Sequence, residues 1–151
     1  MSRVDFYHLQ NMTLEEALPK LLEKAYATGK NVVVKIGNSE RIDFLNSLLW
    51  TYSDTSFLPH GSKKDGFAEM QPIWLTDGDD IPNNAEFLFL VDGAEIEAER
   101  VSEFERIFNI FDGNVNESLL QARRLWKAFR QYTDNVFYWQ KDENGAWKQK
   151  G

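Results

Sequence analysis

Three aspartate–glycine pairs, Asp77-Gly78, Asp92-Gly93 and Asp112-Gly113, each close an apolar run of strand type. Catalytic groups of open α/β sheets gather at the carboxyl ends of strands. Three carboxylates there could hold a magnesium ion for phosphoryl transfer. The same pairs also make serviceable turns, because glycine tolerates positive φ and aspartate bonds its own backbone. No phosphate-gripping lysine or general base stands beside them in the sequence, which favours the turn over the Asp77, Asp92 and Asp112 enzyme. Neither Gly-x-Gly-x-x-Gly nor a Gly-x4-Gly-Lys-Ser/Thr loop occurs, and neither does His-Glu-x-x-His or Gly-x-Ser-x-Gly. With two histidines and no cysteine, a histidine-rich metal site, a sulfur zinc site, a thiolate nucleophile and a disulfide framework are all excluded. No cofactor is expected.

A second chemistry lies near residue 125. Positions 119–132 carry four bases (Arg123, Arg124, Lys127, Arg130) and no acid. On a helix at about 100° per residue, Ala122, Leu125, Phe129 and Tyr132 form a core stripe. Arg123, Lys127 and Arg130 cluster on a neighbouring sector, and Leu119 and Trp126 sit on the border. Cations beside an indole suit a ligand that is both anionic and aromatic, since arginine grips a carboxylate bidentately while a ring packs on the tryptophan. The plainer reading is a solvated amphipathic helix with a half-buried tryptophan. A third cluster is apolar: Trp50, with Phe57-Leu58-Pro59-His60 in the aperiodic stretch that follows. Aromatic anchors in loops are typical centres of protein interfaces; they also staple loops to cores.

Charge sets these clusters apart. The chain carries 17 basic and 24 acidic residues, a net charge of −7, so nucleic acid and anionic membrane repel it on average. From residue 77 to 105 ten acids face one base, Arg100, a local −9. The basic helix is therefore an exception within an acidic molecule, without acids at i,i+4 to pair its cations.

The elements that must position these residues follow from periodicity. The 151 residues suit a single domain, 1–151, which buries about 70% of its unfolded surface. No apolar run reaches the ~18 residues of a membrane span, and the opening Met1-Ser2-Arg3-Val4-Asp5 lacks the apolar stretch of a signal peptide. A cytoplasmic location is the expectation. Strands are expected at 4–9, 31–36, 72–76, 86–91 and 106–111. Helices are expected from the capping box Thr13-Leu14-Glu15-Glu16 to about 28, from Asn38 or Ser39 to 50, and over about 116–132. The acidic stretch before residue 106 reads as helical. Residues 136–140 and 146–148 flank Asp142-Glu143-Asn144-Gly145 and read as a hairpin. Residues 53–71 have no period, which in a compact domain marks a functional or disordered loop. Alternating strands and helices predict an α/β layer with a mainly parallel sheet.

These residues, in their order, resemble a known family: the chi subunit of the bacterial DNA polymerase III holoenzyme. The resemblance rests on Phe6-Tyr7-His8-Leu9, on Leu49-Trp50 with Ser56-Phe57-Leu58-Pro59-His60, and on Gln71-Pro72-Ile73-Trp74-Leu75-Thr76-Asp77. It continues through Phe111-Asp112-Gly113, Ala122-Arg123-Arg124-Leu125-Trp126-Lys127-Ala128-Phe129-Arg130 and the closing Tyr138-Trp139-Gln140-Lys141-Asp142-Glu143-Asn144-Gly145-Ala146-Trp147-Lys148. It implies a Rossmann-like three-layer fold, with helices on both faces of the sheet and a C-terminal hairpin, and no catalytic activity of its own. It also implies two partners. One is the acidic C-terminal tail of the single-stranded-DNA-binding protein, which ends in Pro-Phe; the other is the psi subunit or another clamp-loader component. DNA would be met only indirectly. By motif, Arg123, Trp126, Lys127 and Arg130 match the tail-binding helix, with Phe111 as a pocket wall. Trp50, Phe57, Leu58, Pro59 and His60 match the partner-subunit patch. Leu119-Leu120 stand where the family can carry a further cation.

Overall fold

The computed structural model describes residues 2–53 and 57–151. The chain runs β1 (Arg3–Leu9), α1 (Leu14–Ala27), β2 (Val32–Ile36), α2 (Ile42–Thr51), β3 (Gly61–Ser62), β4 (Ile73–Thr76), β5 (Phe87–Val91), β6 (Arg106–Asp112), α3 (Asn116–Phe129), β7 (Val136–Lys141) and β8 (Trp147–Gln149). The eight strands form one sheet in the order β3-β4-β2-β5-β6-β1-β7-β8. Every pairing is parallel except β7 with β8, the expected hairpin. The α/β expectation holds.

Two cores, one on each face, explain the layering. Val32, Val34, Ile36, Phe89, Phe108 and Ile110 pack with α1 and α2. Val33, Leu88, Leu90, Ile107 and Phe111 pack with α3 and the segment 94–104. Central strands are apolar on both sides because helices cover both sides. β1 splits its side chains the same way, Val4 and Phe6 toward α3, Tyr7 and Leu9 toward α1.

Local chemistry sets the element ends. Thr13 and Glu16 form the predicted capping box, each satisfying a backbone amide of the other. Pro19 lies inside α1, and the helix starts where expected. Asn38 caps a short 3-10 turn, Ser39–Arg41, that leads into α2. Three expectations need correcting. The acidic stretch is helical only over Ala98–Glu103, as a 3-10 helix holding buried Val101. α3 ends at Phe129 rather than about 132, so Tyr132 leaves the core stripe and stands 50% exposed. The aperiodic loop carries structure: β3 pairs with β4, and Ala68–Met70 makes a 3-10 turn. Residues 54–56 of that loop lie outside the described residues.

Candidate functional site: the outer edge of α3

α3 presents its cations on two sides. Arg124 turns toward the acidic segment and pairs with Glu95 at 3.1 Å, an exposed contact that contributes little to stability. Arg123, Lys127 and Arg130 are exposed and have no ion-pair partner among the described residues. Trp126 is half-buried between them. Its indole leans on Phe6 (5.7 Å between ring centres) and meets Tyr138 edge-on at 6.0 Å. The Arg130 guanidinium lies 5.9 Å from the indole centre, a cation–π contact at the outer limit. The backbone of residues 150–151 pairs with Tyr138 and runs along the indole; a Cβ on Gly151 would come 3.4 Å from Trp126 Cη2.

Tyr138 was not among the predicted site residues, yet it completes the surface. Strand alternation holds the signal. β7 pairs with β1, Phe6 opposite Tyr138, so Tyr138 shares the α3 face while Trp139 points to the other. Burial lifts the Tyr138 phenol above its ordinary value, and the positive charge of Arg123 pulls it back. Arg123 and Tyr138 are thus electrostatic neighbours.

A buried histidine supports this phenol. His8 Nδ1 lies 2.5 Å from the Tyr138 hydroxyl, and Phe111 packs against both rings at 5.1 and 6.0 Å. Phe111 itself is buried, 7% exposed, so it underlies the surface rather than lining it. His8 Nε2 has no hydrogen-bond partner among the described residues, and burial depresses the imidazole's basicity while Asp112 partly restores it. Gly113 is required by this ring: a Cβ there would sit 1.8 Å from His8 Nε2. The Asp112-Gly113 pair is therefore a packing device as well as a turn, with Asp112 accepting from the Asn114 amide.

The three aspartates do not assemble. Asp92 pairs with Arg41, which also holds Glu15, whereas Asp77 follows β4 and has no ion pair among the described residues. Among the described residues no group of three or more His, Asp or Glu could hold a metal ion. The magnesium-enzyme alternative loses its site.

The apolar cluster is partitioned. Trp50 and Phe57 are 48% and 66% exposed and touch each other at 5.6 Å. Leu58 and His60 are buried, and Pro59 is intermediate. The His60 ring lies 4.2 Å from Trp50, with its two nitrogens against the carbonyls of Leu58 and Asn46. Leu58 and His60 hold the loop, while Trp50 and Phe57 remain exposed.

The family model for the DNA polymerase III chi subunit, HolC, matches residues 1–134. The chain belongs to the chi subunit family. A probable DNA polymerase III subunit chi from Rickettsia prowazekii (strain Madrid E) is 33% identical over 132 residues, covering 83% of this chain and 80% of the relative. Membership places the protein as an accessory subunit of a replication complex. The family match takes in Phe111, Arg123, Trp126, Lys127, Arg130 and the Trp50 cluster, whereas Tyr138 and the hairpin lie beyond it. Among the described residues no helix is long and apolar enough to cross a membrane.

Proposed function

We propose that this chi-family chain is a non-catalytic, cytoplasmic adaptor of the replication machinery. It would take the acidic C-terminal tail of the single-stranded-DNA-binding protein on α3 and a clamp-loader component, psi or its equivalent, on the Trp50–Phe57 patch. DNA is then reached only through the tail's owner, and no cofactor is used. One observation carries the reading: three cations without ion-pair partners among the described residues flank a partly exposed indole that has a phenol beside it. Arg123 and Lys127 take the tail's carboxylates, and Trp126 with Tyr138 takes its terminal ring.

Magnitudes are consistent with a working contact. Burying a phenylalanine side chain contributes ~2–3 kcal/mol, and each charge-assisted bond ~1.5–3 kcal/mol. After the cost of ordering a flexible tail, affinity near micromolar is expected. Several tails on one oligomeric partner would raise the effective affinity without new contacts.

The test is a titration of the intact protein with a short acidic peptide ending in Pro-Phe. Saturable binding should weaken with salt and roughly ten-fold or more with Arg123→Ala, an exposed position where folding is not at stake. Equal affinity for the peptide lacking its terminal Phe, or no effect of Arg123→Ala, overturns the reading.

A further inference from the structure

On the face of the sheet opposite α3, a cavity of about 260 Å³ opens between the last turns of α1 and the hairpin. Its walls are aromatic. Tyr7 stands nearly parallel to Phe108 and Trp139, with ring centres 6.2 and 6.5 Å apart, and Trp147 meets Tyr7 edge-on at 5.0 Å. Three cations, Arg3, Lys24 and Arg106, share the lining.

The charge is not balanced from within. Asp5, fully buried, is the carboxylate that answers Arg3 and Arg106, at 2.9 and 2.8 Å, and it also accepts from Trp139 Nε1. Lys24 has no ion-pair partner among the described residues. Three cations against one acid leave the cavity two charges positive.

One donor there is unspent. Arg106 Nη2 donates to the Tyr7 hydroxyl at 3.1 Å, so that oxygen already acts as an acceptor. The hydroxyl's own proton meets no acceptor among the described residues, although Tyr7 is 94% buried (6% exposed). Burial pushes this phenol up to about 12, so the proton stays at neutral pH. Tyr7 lines the cavity, so this proton is a donor that an oxygen of a ligand there can accept.

We propose that this cavity is a ligand site for a single aromatic ring bearing a phosphate, of the size and chemistry of a pyrimidine mononucleotide. The ring lies against Tyr7, Trp139 and Trp147, the Tyr7 hydroxyl donates to a ring carbonyl, and the phosphate sits between Lys24 and Arg106 at the mouth. At about 260 Å³ the cavity lies just below the usual range of ligand pockets, roughly 300–1,000 Å³, which selects one ring over two. A phosphate monoester, close to a dianion at neutral pH, matches the two uncompensated charges. The site uses none of the α3 residues and is independent of the tail-binding reading.

The test uses the full chain and uridine 5′-monophosphate, followed by tryptophan fluorescence and by calorimetry. Saturable binding at about 1 mM or tighter is expected, with uridine and inorganic phosphate each at least ~10-fold weaker. Lys24 is exposed, so Lys24→Glu should leave the fold intact and weaken binding ~10-fold or more, the scale of a charge-assisted contact. Tyr7→Phe keeps the ring and should weaken binding several-fold. A saturating acidic tail peptide should not displace the nucleotide. No saturation, equal binding of uridine, indifference to Lys24→Glu, or displacement by the tail peptide would each overturn the proposal.

Discussion

Gly113→Ala isolates the contact that braces the α3 surface. The new methyl carbon would lie 1.8 Å from His8 Nε2 and 2.0 Å from its Cδ2, well inside van der Waals contact. His8 cannot move freely, because its other nitrogen is held by the Tyr138 hydroxyl and Phe111 packs on the ring. Overpacking a filled site costs ~1–3 kcal/mol, and losing the His8–Tyr138 bond adds ~0.5–1.5 kcal/mol. Stiffening the unfolded chain returns ~0.4–1 kcal/mol, leaving a net loss near 2–3 kcal/mol. For a chain of this length that lowers the melting temperature by roughly 5–10 °C. Chemical and thermal denaturation measure it directly. The decisive comparison is a double-mutant cycle: once His8→Ala has removed the ring, Gly113→Ala should be close to neutral. Equal losses with and without the imidazole would refute the clash as the reason for glycine.

Two further outcomes follow from buried groups. Asp5→Ala leaves Arg3 and Arg106 without their shared carboxylate and Trp139 Nε1 without its acceptor; a loss of ~3–5 kcal/mol is expected in urea unfolding, and a loss under about 1 kcal/mol would sink this account. His8 is held below its ordinary basicity by burial, so the unfolded chain binds the proton more readily. Its contribution to stability is complete above pH 6.5 and is lost as pH falls below that value toward the folded-state titration. His8→Gln should flatten this part of the stability–pH curve between pH 7 and 5, and an unchanged slope argues against it.

Most of the framework was legible in residue patterns. Thr13 and Glu16 announced their capping box, and β-branched Val32, Val33 and Val34 read as a strand covered on both sides. What could not be read was long-range. Tyr138 joins Trp126 only because β7 pairs with β1 and so turns one alternate face of the hairpin toward α3. Gly113 looked like a turn residue, and its constraint comes from His8, which is more than a hundred positions away in the chain. Residues Leu58 and His60 sit in the same short motif as Phe57 but are buried, the His60 ring set against the carbonyls of Asn46 and Leu58. Tyr132 has the right helical phase for the core, yet the helix stops one turn too soon.

The crevice where open α/β sheets usually bind ligands is crossed by struts. Arg41 ties Glu15 from α1 to Asp92 after β5, and Asn114 after β6 bonds the carbonyl of Gln10 after β1. Those contacts join the loops of both layers around a cavity of about 610 Å³ at the strand ends. On the proposed reading, recognition falls to a helix flank, and the charge pattern would aim the ligand at one side of it. The acidic segment packs along one edge of α3 through Val101 and Phe104, where Glu95 also neutralises Arg124. An acidic peptide approaching from that edge would meet the 94–104 segment, with four acids and one base; from the Tyr138 edge it would meet Arg123, Lys127 and Arg130. Fields of this kind act within about 8–10 Å at ordinary salt. On the proposed reading, the negative majority of the molecule would therefore guide an anionic tail onto the α3 ridge instead of working against it.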